Sequence, residues 1–231
     1  MTAIESQRAV QNVAKKVLND IAPTLNTRDT ESTIAKRAVA LMRSYGVTET
    51  WYYACPAFVL LGSRSKISQS GRHYQPSSGL VGALNLVTID LSPLKDGLWG
   101  DYARSFCIED GKWVAEPTNI DLSEGLRAEQ QLHQSMRAFV TPATTFDALY
   151  QFANLEIESL GFENSNFVKN LGHSIVQRRD DRIYIESGNQ LALGAVKFFT
   201  FEPHIAKKGC AWGFKHEDIY FFDAQGRLEV L

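Results

Sequence analysis

Apolar positions recur along the chain with two periods, and the switches between them set out its elements. From about Ile4 to Ile21, Ile4, Val10, Val13, Ala14, Val17, Leu18 and Ile21 return on one helical face. Pro23 ends that helix, and Asp29 or Thr30 can cap a second, which turns Ile34, Ala38, Leu41 and Met42 inward and stops at Gly46. The apolar run from Ala57 to Leu61, bounded by Gly62, reads as a buried strand. Residues 62–79 are polar and serine-rich, a loop long enough to carry function, with His73 inside His-Tyr-Gln-Pro.

Residues 84–106 read as two β-rich runs joined by a Ser-Pro and Asp-Gly turn region, a hairpin turning at Lys95 and Asp96. The second arm ends near Ile108, and Glu109, Asp110 and Gly111 make another turn. Helical periods follow from about Asp121 to Phe139 and, past Pro142, from a Thr144 or Thr145 cap through Phe146, Leu149, Phe152, Leu155 and Ile157 to Gly161. The remainder is β-rich, over 182–185, 194–202, 213–222 and 228–230. The runs around Phe198 and Phe221 are apolar on both faces, which predicts a sheet covered on both sides.

The order of elements repeats at a nearly constant offset: two helices ending at a glycine, β structure, then a hairpin with an acidic residue on each arm. This predicts one α+β domain over 1–231 with pseudo-two-fold halves of about 1–115 and 116–231, in which Asp90, Asp101, Glu202 and Glu217 converge. A turn at Lys95 and Asp96 would set Asp90 opposite Asp101. Two such carboxylates at ~4 Å repel by about 4 kcal/mol at an effective dielectric near 20, so the arrangement calls for a cation between them. Four carboxylates buried together cannot all stay ionised uncompensated, and two divalent cations would balance them. His173, in Leu171-Gly172-His173, offers an imidazole, and an oxygen-rich set with one nitrogen suits manganese, iron, cobalt or zinc. Paired metals bridged by a hydroxide make a nucleophile at neutral pH and polarise a carbonyl, the logic of amide hydrolysis.

Composition narrows the setting. A net charge of -2 with no basic block argues against a nucleic-acid or anionic-membrane partner, since Arg178 and Arg179 are compensated by Asp180 and Asp181. Cys55, Cys107 and Cys210 show no CxxC spacing and read as packed thiols in a reducing cytoplasm, with Cys107 on the face of Asp101. No signal-peptide core and no membrane-length apolar run is present, which predicts a soluble cytoplasmic protein. His133 falls on a polar helix face and reads as solvated. His216 is turned away from Glu217 by strand alternation and reads as structural.

Taken together, these residues resemble the creatinase and methionine-aminopeptidase superfamily over nearly the whole chain. Asp101-Tyr-Ala-Arg-Ser-Phe is close to its Asp-x-x-Arg-Thr-Phe arm, Leu171-Gly-His173 matches its Gly-His motif, Phe199-Thr-Phe-Glu202-Pro203 its Thr-x-Glu-Pro motif, and Lys215-His-Glu217-Asp218 its Arg-x-Glu-Asp motif. The resemblance implies the pita-bread fold of a bare catalytic domain and two divalent metals. Asp90 would hold one, His173 and Glu202 the other, and Asp101 and Glu217 both. It implies Glu202 as proton acceptor and His73 as the loop histidine that orients substrate. An Xaa-Pro aminopeptidase or prolidase is the nearest kind, acting on a small peptide or amino-acid-derived substrate, with a homodimer allowed for. A creatinase- or lyase-like small-molecule enzyme and a metal-free scaffold are the alternatives. The sequence departs from the family at Ser174 and Val176, where glycines are usual, at Asp180, where a second histidine is usual, and at Lys215, where arginine is usual. His204, unusual after Glu202-Pro203, is expected to take over part of the missing imidazole's role.

Overall fold

The computed structural model describes residues 2–231 as an α+β fold of four helices and four small antiparallel sheets. In chain order the elements are α1 (Ala3–Ile21), α2 (Glu31–Ser44), β1 (Glu49–Thr50), β2 (Ala57–Leu61), β3 (Asn85–Leu91), β4 (Pro93–Lys95), β5 (Leu98–Trp99), β6 (Tyr102–Glu109) and β7 (Lys112–Val114). They continue with α3 (Ile120–Phe139), α4 (Phe146–Ser159), β8 (Glu163–Asn164), β9 (Phe199–Phe201), β10 (His204–Ala206), β11 (Gly213–Lys215), β12 (Asp218–Phe222) and β13 (Leu228–Val230). The largest sheet runs β2-β3-β6-β7, and three-stranded sheets run β1-β4-β5, β11-β10-β8 and β13-β12-β9.

Local chemistry accounts for the helix starts. Thr2 and Thr30 accept the amides of Glu5 and Thr33 in reciprocal capping boxes, while Asn119 and Thr145 cap α3 and α4. Of the two caps considered for α2, Thr30 is the one used; Asp29 instead pairs with Arg37 at 2.9 Å. Gly46 and Gly161 take left-handed conformations just past α2 and α4.

The period of β3 divides the core. Val87, Ile89 and Leu91 pack with the α1–α2 pair, whereas Leu86 faces the opposite side and joins Leu122, Leu132 and Phe146 in a second core. Thr88 and Asp90 share the face of Leu86 but line an open cavity instead. Which chemistry each strand contributes thus follows from alternation.

Several expectations need correction. The hairpin turns at Asp96 and Gly97, both at positive φ, because Asp-Gly is the pair that fits a tight turn there. The long arms therefore pair Asp90 with Ala103 rather than with Asp101. Moving a turn centre by one residue moves the partner by two, so Asp101 stays on the same face as Asp90. Residues 182–185 form only an isolated bridge, His173 to Tyr184, and of 194–202 only Phe199–Phe201 is a strand. Residues 213–222 break at His216 and Glu217, where Glu217 N–H donates to Ala103 C=O at 3.0 Å and joins the two halves of the chain.

His133 is not solvated. It is buried on α3, receives the Tyr220 hydroxyl at 2.7 Å and lies 3.1 Å from the His216 carbonyl. A face polar by composition can still be covered by a sheet. Cys107 packs in the second core rather than on the cavity wall.

Candidate metal centre

Asp90, Asp101, His173, Glu202 and Glu217 converge at the base of a cavity of about 610 Å³, walled by Trp51, Tyr52, His73, Arg182 and Tyr184. Donor oxygens of Asp90, Asp101 and Glu217 lie within 4.8 Å of one another. His173 Nε2 is 3.4 Å from Asp101 Oδ2 and 3.6 Å from Glu202 Oε1. At the centre stands Lys215, whose Nζ lies 2.6 Å from Asp90 Oδ2, 3.0 Å from Glu202 Oε2 and 3.4 Å from Glu217 Oε2.

Each of these side chains is held by its own neighbours. Asp101 follows β5 at the point where Gln11 of α1 grips its backbone, Gln11 Nε2 donating to Asp101 C=O at 2.7 Å and Asp101 N–H donating to Gln11 Oε1 at 2.9 Å. His173 follows Gly172, whose φ of +144° and approach to the Thr200 carbonyl leave no room for a Cβ, which would lie 2.3 Å from that oxygen. His173 N–H donates to Thr200 Oγ1 at 2.9 Å, and Thr200 Oγ1 lies 3.2 Å from Glu202 Oε1, so one hydroxyl ties the imidazole to the carboxylate. Trp51 stacks on Trp99 and meets the His173 ring edge-on. Arg104 closes the far side: it donates to the Glu217 carbonyl at 2.6 Å and to both Asp218 oxygens at 2.9 Å.

Burial sets the electrostatics. It pushes the Asp101 carboxyl up to about 6, with Asp90 and Glu202 adding to the rise against the opposing pull of His173. Burial also drives Glu217 well above the usual carboxylate range, reinforced by the Asp101 and Glu202 charges. Glu202 is lowered instead, because Lys215 and His173 outweigh its burial. Burial opposes the Lys215 charge too, but Asp90, Glu217 and Glu202 prevail and hold its pKa well above the ordinary value.

The residues present fit a divalent cation. Among the described residues, Asp101 Oδ2 and both Glu217 carboxylate oxygens are buried without a hydrogen-bond partner, and all belong to this cluster. Anionic oxygens with one imidazole nitrogen are the donor set of a hard or borderline metal.

His73 ends a short 3-10 turn over residues 71–73 on the cavity wall. His204 also reaches the cavity, but its Nε2 donates to the Ser65 carbonyl at 2.7 Å, and burial lowers its pKa to about 4. Ser174 is buried and accepts the Ile183 amide, while Val176 lies in a separate groove against α1. Asp180 is exposed beside Arg179. From that segment, Arg182 and Tyr184 are the side chains that reach the cavity.

Sequence reasoning missed Gln7, Gln11, Thr200 and Glu129. The two glutamines stand one helical turn apart inside the apolar stripe of α1, and that interruption was the available signal; Gln7 donates to the Trp99 carbonyl. Glu129 is buried on α3 with both oxygens unpartnered, and burial pushes its carboxyl well above the ordinary range against Arg104 and Lys215. The folded state therefore keeps the Glu129 proton that the unfolded chain releases near pH 4.5, so its unfavourable contribution grows as pH rises above that value. Glu129→Leu is expected to raise stability at pH 7 by about 1–3 kcal/mol, the cost of an unpartnered buried polar group, and by less at pH 4, as read by urea unfolding at both pH values.

A second group, His133, His216 and Asp218, also brings donor atoms within 4.8 Å. Its atoms are already committed. His133 uses both nitrogens, and Asp218 takes His216 Nε2 at 2.9 Å together with Arg104, which makes this a hydrogen-bonded brace behind Glu217.

Fold and site together define an α+β fold with a carboxylate-rich, imidazole-containing centre at the foot of a cavity. The chain belongs to metallopeptidase family M24, whose model matches residues 5–224. Its fold is similar to that of an X-Pro aminopeptidase from Thermotoga maritima, with a TM-score of 0.80 at 20% identity over 98% of this chain and 60% of that one. A prolidase from Pyrococcus furiosus gives 0.74 at 21% identity, over 98% and 62%. A methionine aminopeptidase from Rickettsia prowazekii gives 0.75 at 15% identity, over 98% and 95%. The chain thus spans about three-fifths of the length of the first two. No curated protein matches the chain in sequence. The arrangement of helices and antiparallel sheets is consistent with a pita-bread fold. No helix among the described residues is long and apolar enough to cross a membrane.

Proposed function

We propose that the chain is a metal-dependent hydrolase that cleaves the amide of a small peptide, an aminopeptidase of the Xaa-Pro type. The observation that carries this reading is the convergence of Asp90, Asp101, His173, Glu202 and Glu217 at the foot of the cavity, with three of their buried oxygens unpartnered. Those five residues would hold two divalent ions, manganese, iron, cobalt or zinc, with Asp101 and Glu217 shared. A bound ion supplies Lewis acidity toward a carbonyl and lowers the pKa of water.

The rest is done by the chain. Glu202, kept ionised by Lys215 and His173, is the group that accepts a proton at its Oε1. Trp51, Tyr52 and Tyr184 exclude water and offer apolar faces to a side chain or proline ring, in a space of the size usual for small ligands. Arg182, between the faces of Trp51 and Tyr184, brings a positive charge to the wall for a substrate carboxylate. His73 donates to the substrate amide from the loop side. His204 positions the wall by holding the Ser65 carbonyl.

A panel of Xaa-Pro and Met-Xaa di- and tripeptides with added manganese tests the proposal. Release of the first residue from Xaa-Pro peptides, lost in Asp101→Asn, is the expected result. Asp180 turned to solvent, with Arg182 and Tyr184 in the cavity, favours the second reading of a small-molecule enzyme on the same site. Metal binding without release of any N-terminal residue would select it.

A further inference from the structure

We infer that the Lys215 ammonium is a built-in cation occupying one of the two ion positions, so that the chain holds a single divalent metal on the side of Asp101 and His173. This rests on the metal-dependent reading above and replaces its two-ion count with one ion and the Lys215 charge.

Three carboxylates from three parts of the chain surround Nζ: Asp90 on β3, Glu202 after β9 and Glu217 between β11 and β12. The ammonium donates to Asp90 Oδ2 and stands within ion-pair distance of Glu202 and Glu217, so one positive charge faces all three acids. The ion position on Asp90, with Glu217 shared, would use oxygens that Nζ already contacts, Asp90 Oδ2 and Glu217 Oε2, at the ~2.0–2.2 Å of a metal–oxygen bond. Two cations cannot share that space. Lysine suits it because its charge is a compact point that fits among the acids, where arginine would bring a wider planar fork.

The other side of the cluster is left to a metal. Asp101 Oδ2 has no hydrogen-bond partner and does not contact Lys215. His173 Nδ1 lies 3.0 Å from the Ser174 carbonyl, which makes Nδ1 the protonated nitrogen and leaves the Nε2 lone pair aimed at Asp101, 3.4 Å away. One anionic oxygen and one imidazole nitrogen are thus oriented together, with Glu202 Oε1 beside them.

Equilibrium dialysis of the full chain against manganese(II), followed by metal analysis and electron paramagnetic resonance, tests the inference. One equivalent with the six-line signal of an isolated ion is expected for the wild type, and two equivalents with an exchange-coupled signal for Lys215→Met. Two coupled ions in the wild type would overturn it, as would one ion in both chains or ions in the variant alone. No manganese in either folded chain would instead remove the metal-dependent reading. Should Lys215→Met fail to fold, the wild-type count and signal still decide.

Discussion

Glu217→Gln is expected to move stability in opposite directions with and without metal. In the metal-free chain Glu217 is buried with both oxygens unpartnered, and burial together with Asp101 and Glu202 raises its pKa. The folded state then holds a proton that the unfolded chain loses, so the group becomes more unfavourable as pH rises above about 4.5. Glutamine keeps the shape without the charge, and the metal-free variant should melt higher than the wild type at pH 7. With manganese the order reverses. A site saturated at 100 times its Kd gains about 2.7 kcal/mol, whereas an ion bound 100-fold more weakly adds only about 0.4 kcal/mol at the same concentration. Thermal melts with and without manganese at pH 7 read both effects. An unchanged metal-induced rise in the variant would remove Glu217 from the proposed ligand set.

The second large effect is expected at Arg104. Its guanidinium holds both oxygens of Asp218 and the carbonyls of Ala103 and Glu217, so it clamps the bridge at which the two halves of the chain meet. Removing one member of a buried pair leaves the other charge uncompensated and typically costs about 3–5 kcal/mol. Arg104→Ala should lose stability on that scale in urea unfolding at pH 7. The pH dependence has a definite sign. Burial opposes ionisation of Asp218, but His216 and Arg104 outweigh it and hold the carboxyl well below its ordinary value. The pair's contribution is therefore complete above the unfolded value near 3.8 and is lost as pH falls from there through the lower folded value. The difference between wild type and Arg104→Ala should shrink below pH 3, and a gap unchanged with pH would contradict the assignment to this pair.

These two positions show what could be read in advance. Glu217 was legible as a donor from its short motif, and strand alternation set His216 on the opposite side, where it joins Asp218 instead of the acids. The brace itself was not legible: His133 lies on a helix far away in sequence, and its burial depends on the sheet that α3 packs against. Glu129 escaped notice for the same reason, since a charged residue on an amphipathic helix looks solvated until its neighbours are placed.

The amino-acid sequence by itself determined the helices, through apolar period, caps and terminal glycines, and the candidate donors, through the spacing of acids and histidine within short motifs. It also placed Asp90 and Asp101 on one face, since a turn centre displaced by one residue preserves strand parity. Tertiary structure alone decided which atoms meet. It aligned Asp90 with Ala103, left the oxygens of Asp101 and Glu217 unpartnered, turned Asp180 outward, and drove Lys215 into the centre of the acids. The physical reason is that periodicity acts between near neighbours, whereas the charge balance of the site depends on groups on β3 and β11 and beside β6, β9 and β12 brought together by packing.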